Sequence, residues 1–294
     1  MGPLAGQGES PVWDVDEQRL FWVDNSRSRI YRGTADGREL TLWSFPGRAT
    51  SVARRVSGGL LVGSRTTLCA FDLDSSASDV LFDAGPTAGF VFNDAKADRQ
   101  GRLIAGLVEV ALIAPAARQL VEDYETKGCL YRLDADRRCA PLPPRIGIAN
   151  GPCFSPDGTV FYCGDSWSRR IWRFDYDVAG GTMSNQRLFA TIDEGDALPD
   201  GATVDAEGCL WVATYEGMDV RRYAPDGSLD RRLRLPAPPT SVMFGGSDLE
   251  VLFVTTCGQA EVAGRTVKSD RLGGSLLAVY GTGARGVPEV RAGA

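Results

Sequence analysis

Histidine is absent from the 294 residues of this chain. Its absence excludes the Ser-His-Asp and Cys-His arrangements of nucleophilic catalysis, because both need an imidazole to accept the proton of the nucleophile. Zinc sites built on imidazole are also excluded. Any chemistry that this protein performs must therefore use carboxylates, amides, hydroxyls, lysine or a metal ion bound through oxygen.

An excess of positive charge and long apolar runs are absent as well. The net charge is −6 and the pI is near 4.9, and the arginines form no basic stripe, which argues against nucleic acid as a partner. No run of 18 apolar residues occurs, and the first residues, MGPLAGQGESPVW, lack the features of a signal peptide. We therefore expect a cytoplasmic protein that binds neither nucleic acid nor membrane.

Cysteine is sparse, and its seven residues form no C-x-x-C pair. The number is odd, and most of the cysteines lie inside apolar, strand-like segments. These features are typical of reduced core residues rather than of a disulfide framework, a metal site or a redox pair.

Glycine and proline, in contrast, are frequent, with 35 and 16 residues and no collagen-like period, which indicates many short strands joined by tight turns. A unit of about 40 to 50 residues recurs along the chain, as is typical of a propeller. The clearest copies are 151–177 and 201–227, and fainter ones begin at Ser10, Ser51, Asn93 and Thr240. Six copies predict an all-β fold, a six-bladed β-propeller with four strands in each blade, which spans residues 1–294 as one domain.

One segment interrupts the third repeat. Residues 108–127, VEVALIAPAARQLVEDYETK, are rich in Ala, Leu and Glu, a composition that favours a short helix. We expect an insertion over one face of the propeller, with a role at the site or as a solvated connection without function. Helix should be scarce elsewhere.

The first strand of each blade lines the central channel of a propeller, so the residues just before those strands should meet at one mouth. In the six repeats these positions are Glu9, Thr50 or Ser51, Asn93, Asn150, Asp200 and Thr240. Four of them carry a carboxylate or amide oxygen, the ligands that a hard divalent cation prefers. The alternative is that Asn150-Gly151 and Asp200-Gly201 are ordinary turn dipeptides. Their place before the first strand of a blade favours the metal site.

Motifs along nearly the whole chain resemble those of the senescence-marker-protein/gluconolactonase family. The matching motifs are GESPVWD (8–14), FNDAKAD with GR and AG following (92–106), NGPCFSPDGTVFYCGDS (150–166), PDGATVDAEGCLWVA (199–213), PTSVMFGG (239–246) and GGSLLAVYG (273–281). The resemblance implies a six-bladed propeller that hydrolyses a sugar-derived lactone with one divalent cation, either calcium, zinc, magnesium or manganese. It also implies that Glu9, Asn150 and Asp200 bind the metal, and that Asn93 lies beside the metal and its bound water or substrate.

The chain departs from the family pattern near that asparagine. Sugar-binding members often carry arginine two residues before it, where this chain has Val91. Glu109 approximately matches an acidic residue that is common after the AG dipeptide, and we include it among the substrate-binding candidates.

The ligand set suggests a mechanism. A metal with an open position polarises a lactone carbonyl and lowers the pKa of a bound water. Asp200 is the candidate catalytic residue, as the base that accepts a proton from this water; its alternative role is that of a ligand alone. Asp165 and Tyr215 follow second strands, where loops reach the channel, and they contact either the substrate or only their neighbours in the fold.

Two other functions fit the same residues. A non-catalytic propeller that binds calcium or another ligand would have the same ligand set, and so would a metal-dependent hydrolase of phosphoester-type bonds. Turnover of γ- and δ-lactones that depends on metal discriminates the lactonase from the binding protein. The specific lactone, the physiological metal and the oligomeric state are not encoded in any of these motifs.

Overall fold

The fold is almost entirely β-structure. A computed structural model describes residues 5–85, 89–113, 127–192, 195, 197–262, 265–268 and 272–294. The first three blades comprise β1 (Gly8–Asp14), β2 (Arg19–Asp24), β3 (Arg29–Gly33) and β4 (Leu40–Ser44); β5 (Ser51–Arg54), β6 (Leu60–Ser64), β7 (Thr67–Phe71) and β8 (Ser78–Asp83); and β9 (Phe90–Ala97), β10 (Leu103–Glu109), β11 (Cys129–Leu133) and β12 (Cys139–Arg145).

The remaining strands follow the same up-and-down order. The fourth and fifth blades comprise β13 (Ala149–Phe154), β14 (Val160–Asp165), β15 (Arg170–Asp177) and β16 (Thr182–Thr191), then β17 (Leu198–Val204), β18 (Leu210–Tyr215), β19 (Asp219–Tyr223) and β20 (Leu229–Arg234). The sixth contains β21 (Pro239–Gly245), β22 (Val251–Thr256) and β25 (Leu277–Val279), with a separate hairpin of β23 (Gln259–Val262) and β24 (Arg265–Lys268). Six sheets of antiparallel strands confirm the predicted propeller.

The sixth blade differs from the prediction of four strands. Its sheet has the order β21-β22-β25, and within the described residues no fourth strand pairs with β25. After β25 the chain leaves the sheet instead of folding back along it, and it runs across the end of the central channel. The prediction of four strands in every blade is therefore wrong for this blade.

Apolar side chains from adjacent blades form six buried clusters, one at each junction of the ring. The cluster between the sixth and first blades contains Trp13 and Phe253, whose rings stack with centroids 5.7 Å apart. Two contacts before β1 also join these blades, the bridge between Gln7 and Cys257 and the bond from the Ala5 N–H to the Gly274 carbonyl. The ring is thus closed by packing and by a few backbone hydrogen bonds.

Helix is scarce in the described residues. The helix α1 (Val110–Ile113) follows β10 directly, inside the predicted insertion. Residues 114–126, which make up most of that insertion, lie outside the described part of the chain.

The innermost strands of five blades are irregular at one position. The pairing register shifts in β1 between Glu9 and Val12, in β13 between Asn150 and Cys153, and at corresponding places in β9, β17 and β21. Such bulges let two consecutive residues escape strict alternation, and they are common beside active sites. The predicted channel residues of these five blades thus lie within the strands, near their beginnings, rather than before them.

The last eleven described residues form the C-terminal segment, residues 284–294. It contacts five blades where their inner strands end and turn into the second strands. The Gly286 N–H donates to Leu249 O (2.8 Å), the Ala292 N–H to Arg54 O (2.7 Å) and the Gly293 N–H to Gly101 O (2.8 Å). The Arg291 guanidinium bonds to Asp14, and Gly286 forms a β-bridge with Asp205. These contacts lie at the end of the channel opposite the bulges. The C-terminal segment therefore crosses and covers that end.

Candidate functional site

The beginnings of the inner strands bring three acidic side chains together at the mouth of the channel. Glu9 begins the first blade, Asp94 lies in the third and Asp200 in the fifth. Glu9 and Asp94 are buried, and Asp200 is partly buried. Because they come from alternate blades of a six-fold ring, their carboxylates converge from three directions on the channel axis.

Two amides complete this group. Asn93 Nδ2 donates to Asn150 Oδ1 and, over 3.1 Å, to the Ala149 carbonyl. Asn150 Nδ2 donates to Ser166 Oγ (2.7 Å), and that hydroxyl donates to the Pro199 carbonyl (2.5 Å). Ser166 thus links Asn150 to the residue before Asp200, and it fixes two predicted ligands relative to each other.

Asp94 contributes a contact that the sequence reasoning missed. Its Oδ2 accepts the Gly151 N–H over 2.9 Å, so a side chain of the third blade fixes the backbone beside Asn150 in the fourth. Strict alternation along β9 would place Asp94 on the opposite face from Asn93. The register shift in β9 falls at these two residues and removes that constraint.

Burial raises the pKa of all three carboxylates, and neighbouring negative charge adds to this effect at Glu9 and Asp200. Burial, followed by the charges of Asp200 and Asp94, raises the pKa of Glu9 well above its ordinary value. Burial and the charge of Asp94 do the same for the pKa of Asp200. Burial also raises the pKa of Asp94, against the opposing effects of the Gly151 N–H and the Lys96 charge. The Gln7 hydrogen bond and the Arg48 charge lower the pKa of Glu9 but do not outweigh the causes that raise it, so the site concentrates negative charge.

Glycines at the site allow adjacent blades to approach closely. A Cβ on Gly151 would lie 2.7 Å from the Asp200 carbonyl oxygen, and Gly151 also has a positive φ of 55°. A Cβ on Gly201 would lie 1.9 Å from Ser241 Oγ. Both glycines belong to inner strands, so the alternative that Asn150-Gly151 and Asp200-Gly201 are ordinary turn dipeptides is wrong.

The donor set fits a hard divalent cation. Among the described residues, none of the three carboxylates forms an ion pair with lysine or arginine; the side-chain partner of Glu9 is Gln7, whose Nε2 lies 3.1 Å from Glu9 Oε1. Buried carboxylates without a positive partner are unfavourable unless a cation or protons neutralise them. Glu9, Asn150 and Asp200 offer carboxylate and amide oxygens, which suit calcium, magnesium, manganese or zinc.

Another group, formed by Asp205, Glu207 and Cys209, also brings possible ligand atoms within 4.8 Å of one another. The Arg222 guanidinium already pairs with both of its carboxylates and with Asp230. The Asp205 carboxylate additionally accepts the Trp211 Nε1–H over 2.8 Å. We interpret this group as a structural ion-pair cluster, because its negative charge is compensated by arginine.

The three predicted substrate-binding residues on second strands lie at the same end of their blades as the carboxylates. Glu109 ends β10 opposite Phe90, and Tyr215 ends β18 opposite Leu198; both are partly buried. Asp165 is buried, and its oxygens accept the N–H groups of residues 148 and 167 and the Ser168 hydroxyl at 2.9–3.1 Å. These hydrogen bonds make Asp165 a turn-stabilising residue; a contact of any of the three with substrate stays a prediction.

Below the carboxylates a cavity continues along the channel. Residues from all six inner strands and from the C-terminal segment line it, among them Ser10, Asp94, Lys96, Ser241 and Glu289. None of the seven cysteines forms a disulfide, and six of them are buried. In the part of the chain that the structure describes, no helix has the length and apolar character to cross a bilayer.

The chain is similar to known proteins along most of its length. Residues 7–258 match the profile of the SMP-30/gluconolactonase/LRE-like region. L-arabinolactonase from Azospirillum brasilense is 36% identical over 252 residues, 85% of this chain and 80% of that protein. Regucalcin from Bos taurus is 31% identical over 284 residues, 96% of this chain and 93% of that protein. The structure of a luciferin-regenerating enzyme superimposes with a TM-score of 0.86 at 26% identity, covering 98% of this chain and 96% of that one.

Proposed function

The chain belongs to the SMP-30/gluconolactonase/LRE-like family, and from this premise we propose that it is a hydrolase that opens a sugar-derived 1,4- or 1,5-lactone to the hydroxy acid. The observation that carries the proposal is the convergence of Glu9, Asp94 and Asp200 with two amides at the mouth of the channel. A family member with this donor set and without histidine has the groups for metal-assisted ester hydrolysis.

We assign Glu9, Asn150 and Asp200 as the residues that bind one divalent cation. When bound, the cation supplies Lewis-acid polarisation of the lactone carbonyl and acidifies water. Among the chain's own groups, the Asp200 carboxylate accepts the proton of the attacking water. Asn93 orients the substrate or the water through its amide, while Asp94 and Ser166 position the backbone and the amide of Asn150.

Glu109 and Tyr215 are assigned to the rim of the substrate site, because both end second strands at this mouth. Neither Val91 nor any residue beside it on β9 offers a guanidinium to sugar hydroxyls. We therefore expect the substrate to be an aldonolactone that is recognised mainly through the site's carboxylates and amides. This recognition differs from that of relatives with arginine at that position.

The decisive experiment is a panel of γ- and δ-lactones assayed with protein stripped of metal and then reloaded with calcium, zinc, magnesium or manganese. We expect hydrolysis that falls by about a hundredfold or more on stripping and returns on reloading, because the cation carries much of the stabilisation of the developing negative charge. Hydrolysis that survives complete removal of the metal would contradict the mechanism. Metal binding without hydrolysis of any lactone would contradict the enzymatic function.

A second candidate is a propeller that binds calcium without catalysis. The regucalcin relatives favour it, since the solved structure of one regucalcin is described as that of a calcium-binding protein. The ligand residues are the same in both cases, so affinity alone cannot separate the two functions. Turnover in the lactone panel decides between them.

We also propose a cytoplasmic location, which is supported by seven cysteines that form no disulfide.

A further inference from the structure

Lys96 and Glu289 form an ion pair inside the channel, below the proposed metal ligands. Lys96 Nζ lies 3.0 Å from Glu289 Oε1, and the two side chains are only 13% and 17% exposed. Lys96 belongs to the inner strand β9, whereas Glu289 belongs to the C-terminal segment, 193 residues later in the chain. The C-terminal segment thus inserts a carboxylate into the channel from the end opposite the site.

Lys96 and Asp94 line the same cavity and are two residues apart on one strand, a spacing of about 7 Å. Lysine has a long, flexible stem, and its ammonium group can reach a neighbouring carboxylate at that spacing. A buried ammonium without a partner is unfavourable, so Lys96 would turn toward Asp94 if Glu289 were neutral. At that place it would add positive charge beside the carboxylates that a metal ion needs.

The C-terminal segment is anchored on both sides of Glu289. Arg99 Nη1 donates to the Pro288 carbonyl over 3.1 Å, and the Arg291 guanidinium bonds to Asp14 at 2.8 Å. These contacts involve the third and first blades, so the position of Glu289 depends on the assembled ring. The carboxylate is therefore presented to Lys96 by a rigid support rather than by a free chain end.

We propose that Glu289 keeps the Lys96 ammonium away from the carboxylates at the channel mouth, so that the C-terminal segment sets the affinity of the site for its divalent cation. This inference rests on the proposed metal site and adds two positioning residues to it. Neither residue needs to touch the cation. Together they determine whether the carboxylates at the channel mouth lie beside the divalent cation alone or also beside the Lys96 ammonium.

The test is calorimetric titration of metal-free protein with Ca²⁺ and Mn²⁺, for the wild type, Glu289→Gln, Lys96→Met and the double variant. Asp16→Asn is the charge-matched control, because Asp16 contacts the C-terminal segment through Arg291 but is exposed. We expect Glu289→Gln to weaken metal binding about tenfold or more, because the Lys96 ammonium would then compete with the cation for the carboxylates. Lys96→Met should bind at least as tightly as the wild type, and the double variant should resemble Lys96→Met. The control should change by less than about twofold.

Three outcomes overturn the inference. Unchanged affinity in Glu289→Gln is one, and an equally large loss in the Lys96→Met background is another, since Glu289 would then act without the lysine. Weaker binding in Lys96→Met is the third, and it remains decisive if Glu289→Gln fails to fold. A wild type that binds neither ion rejects this inference together with the metal site, whereas binding without lactone hydrolysis rejects only the proposed enzymatic activity.

Discussion

The backbone N–H of Gly151 donates a 2.9 Å hydrogen bond to the carboxylate of Asp94, so a residue of the third blade fixes the strand that carries a proposed ligand in the fourth. This contact depends on the register shift in β9, without which Asp94 would face away from its neighbour Asn93. Two adjacent residues of one strand thereby serve the same site. Asp94 is the first target for mutation, because its contact with Gly151 positions the strand that carries Asn150.

Asp94→Ala should weaken divalent-cation binding about ten- to a hundredfold, the usual effect of removing a group that orients a metal ligand. The fold should persist, because the apolar clusters between blades do not include this residue. Calorimetric titration with Ca²⁺ measures the change, and Asp79→Ala, on an exposed outer strand, is the control for lost charge. Equal affinities for Asp94→Ala and the wild type would remove Asp94 from the site.

Asp200→Asn should lose lactone hydrolysis by about a hundredfold or more, even at saturating metal, because it removes a negative ligand and the candidate base while preserving size. Its thermal unfolding should shift only modestly, apart from the stabilisation that bound metal contributes. Rates near those of the wild type at saturating metal would show that Asp200 is neither base nor essential ligand. That result would favour the binding-protein function.

Ser166→Ala should loosen the connection between Asn150 and the Pro199 carbonyl, because it removes the hydroxyl that bonds to both. We expect metal affinity to fall about tenfold, with a loss of about 1 kcal/mol in the free energy of unfolding. Ser168→Ala, which removes a hydroxyl from the neighbouring turn, is the matched control. If both variants bind metal equally well, Ser166 does not position the ligands.

Val91→Arg tests substrate recognition. Val91 lies on β9 two residues before Asn93 and packs against the cluster between the third and fourth blades. A guanidinium there can donate to several hydroxyls, so we expect kcat/KM to rise severalfold for aldonolactones relative to unsubstituted δ-lactones. Val91→Met controls for side-chain size. An unchanged ratio between the two substrate classes would show that this position does not read sugar hydroxyls.

Acid should destabilise the propeller through Asp14. Burial raises the pKa of Asp14, but hydrogen bonds from Arg291, Arg54 and the Glu17 N–H outweigh it and lower the pKa to about 2. Because the ordinary value is 3.8, the carboxylate stabilises the fold by about 2 kcal/mol above pH 4, and this contribution is lost as the pH falls toward 2. Urea unfolding of the wild type and Asp14→Asn should show a stability difference that shrinks over this range. A difference that is constant between pH 6 and pH 2.5 would contradict the assignment.

The number of blades could be predicted from sequence because each repeat carries the same strands and turns. Glu9, Asn150 and Asp200 could be placed at the channel mouth because equivalent positions of a ring must converge. Asp94 could not, since a bulge is a local departure from alternation that leaves no clear sign in the residue pattern. The ion pair of Lys96 and Glu289 joins distant parts of the chain, and no repeat relates them.

Asp165 shows the opposite case, a residue whose structural role the repeats do indicate. Asp24 occupies the equivalent place at the end of β2, and its oxygens accept N–H groups of the following turn in the same way. A residue that recurs with one geometry in two blades is explained by the blade itself. Comparison of the repeats would therefore have separated Asp165 from residues that occur once, such as Asp94.

The bulges in five inner strands also matter for engineering the specificity of this propeller. In an ordinary strand only every second residue faces a pocket and can be varied to change specificity. At a bulge two adjacent residues, such as Asn93 and Asp94, can both be varied. Short degenerate primers could then diversify paired positions in one blade without disturbing the apolar clusters between blades. The scaffold thus separates positions that are open to selection from those that maintain the ring.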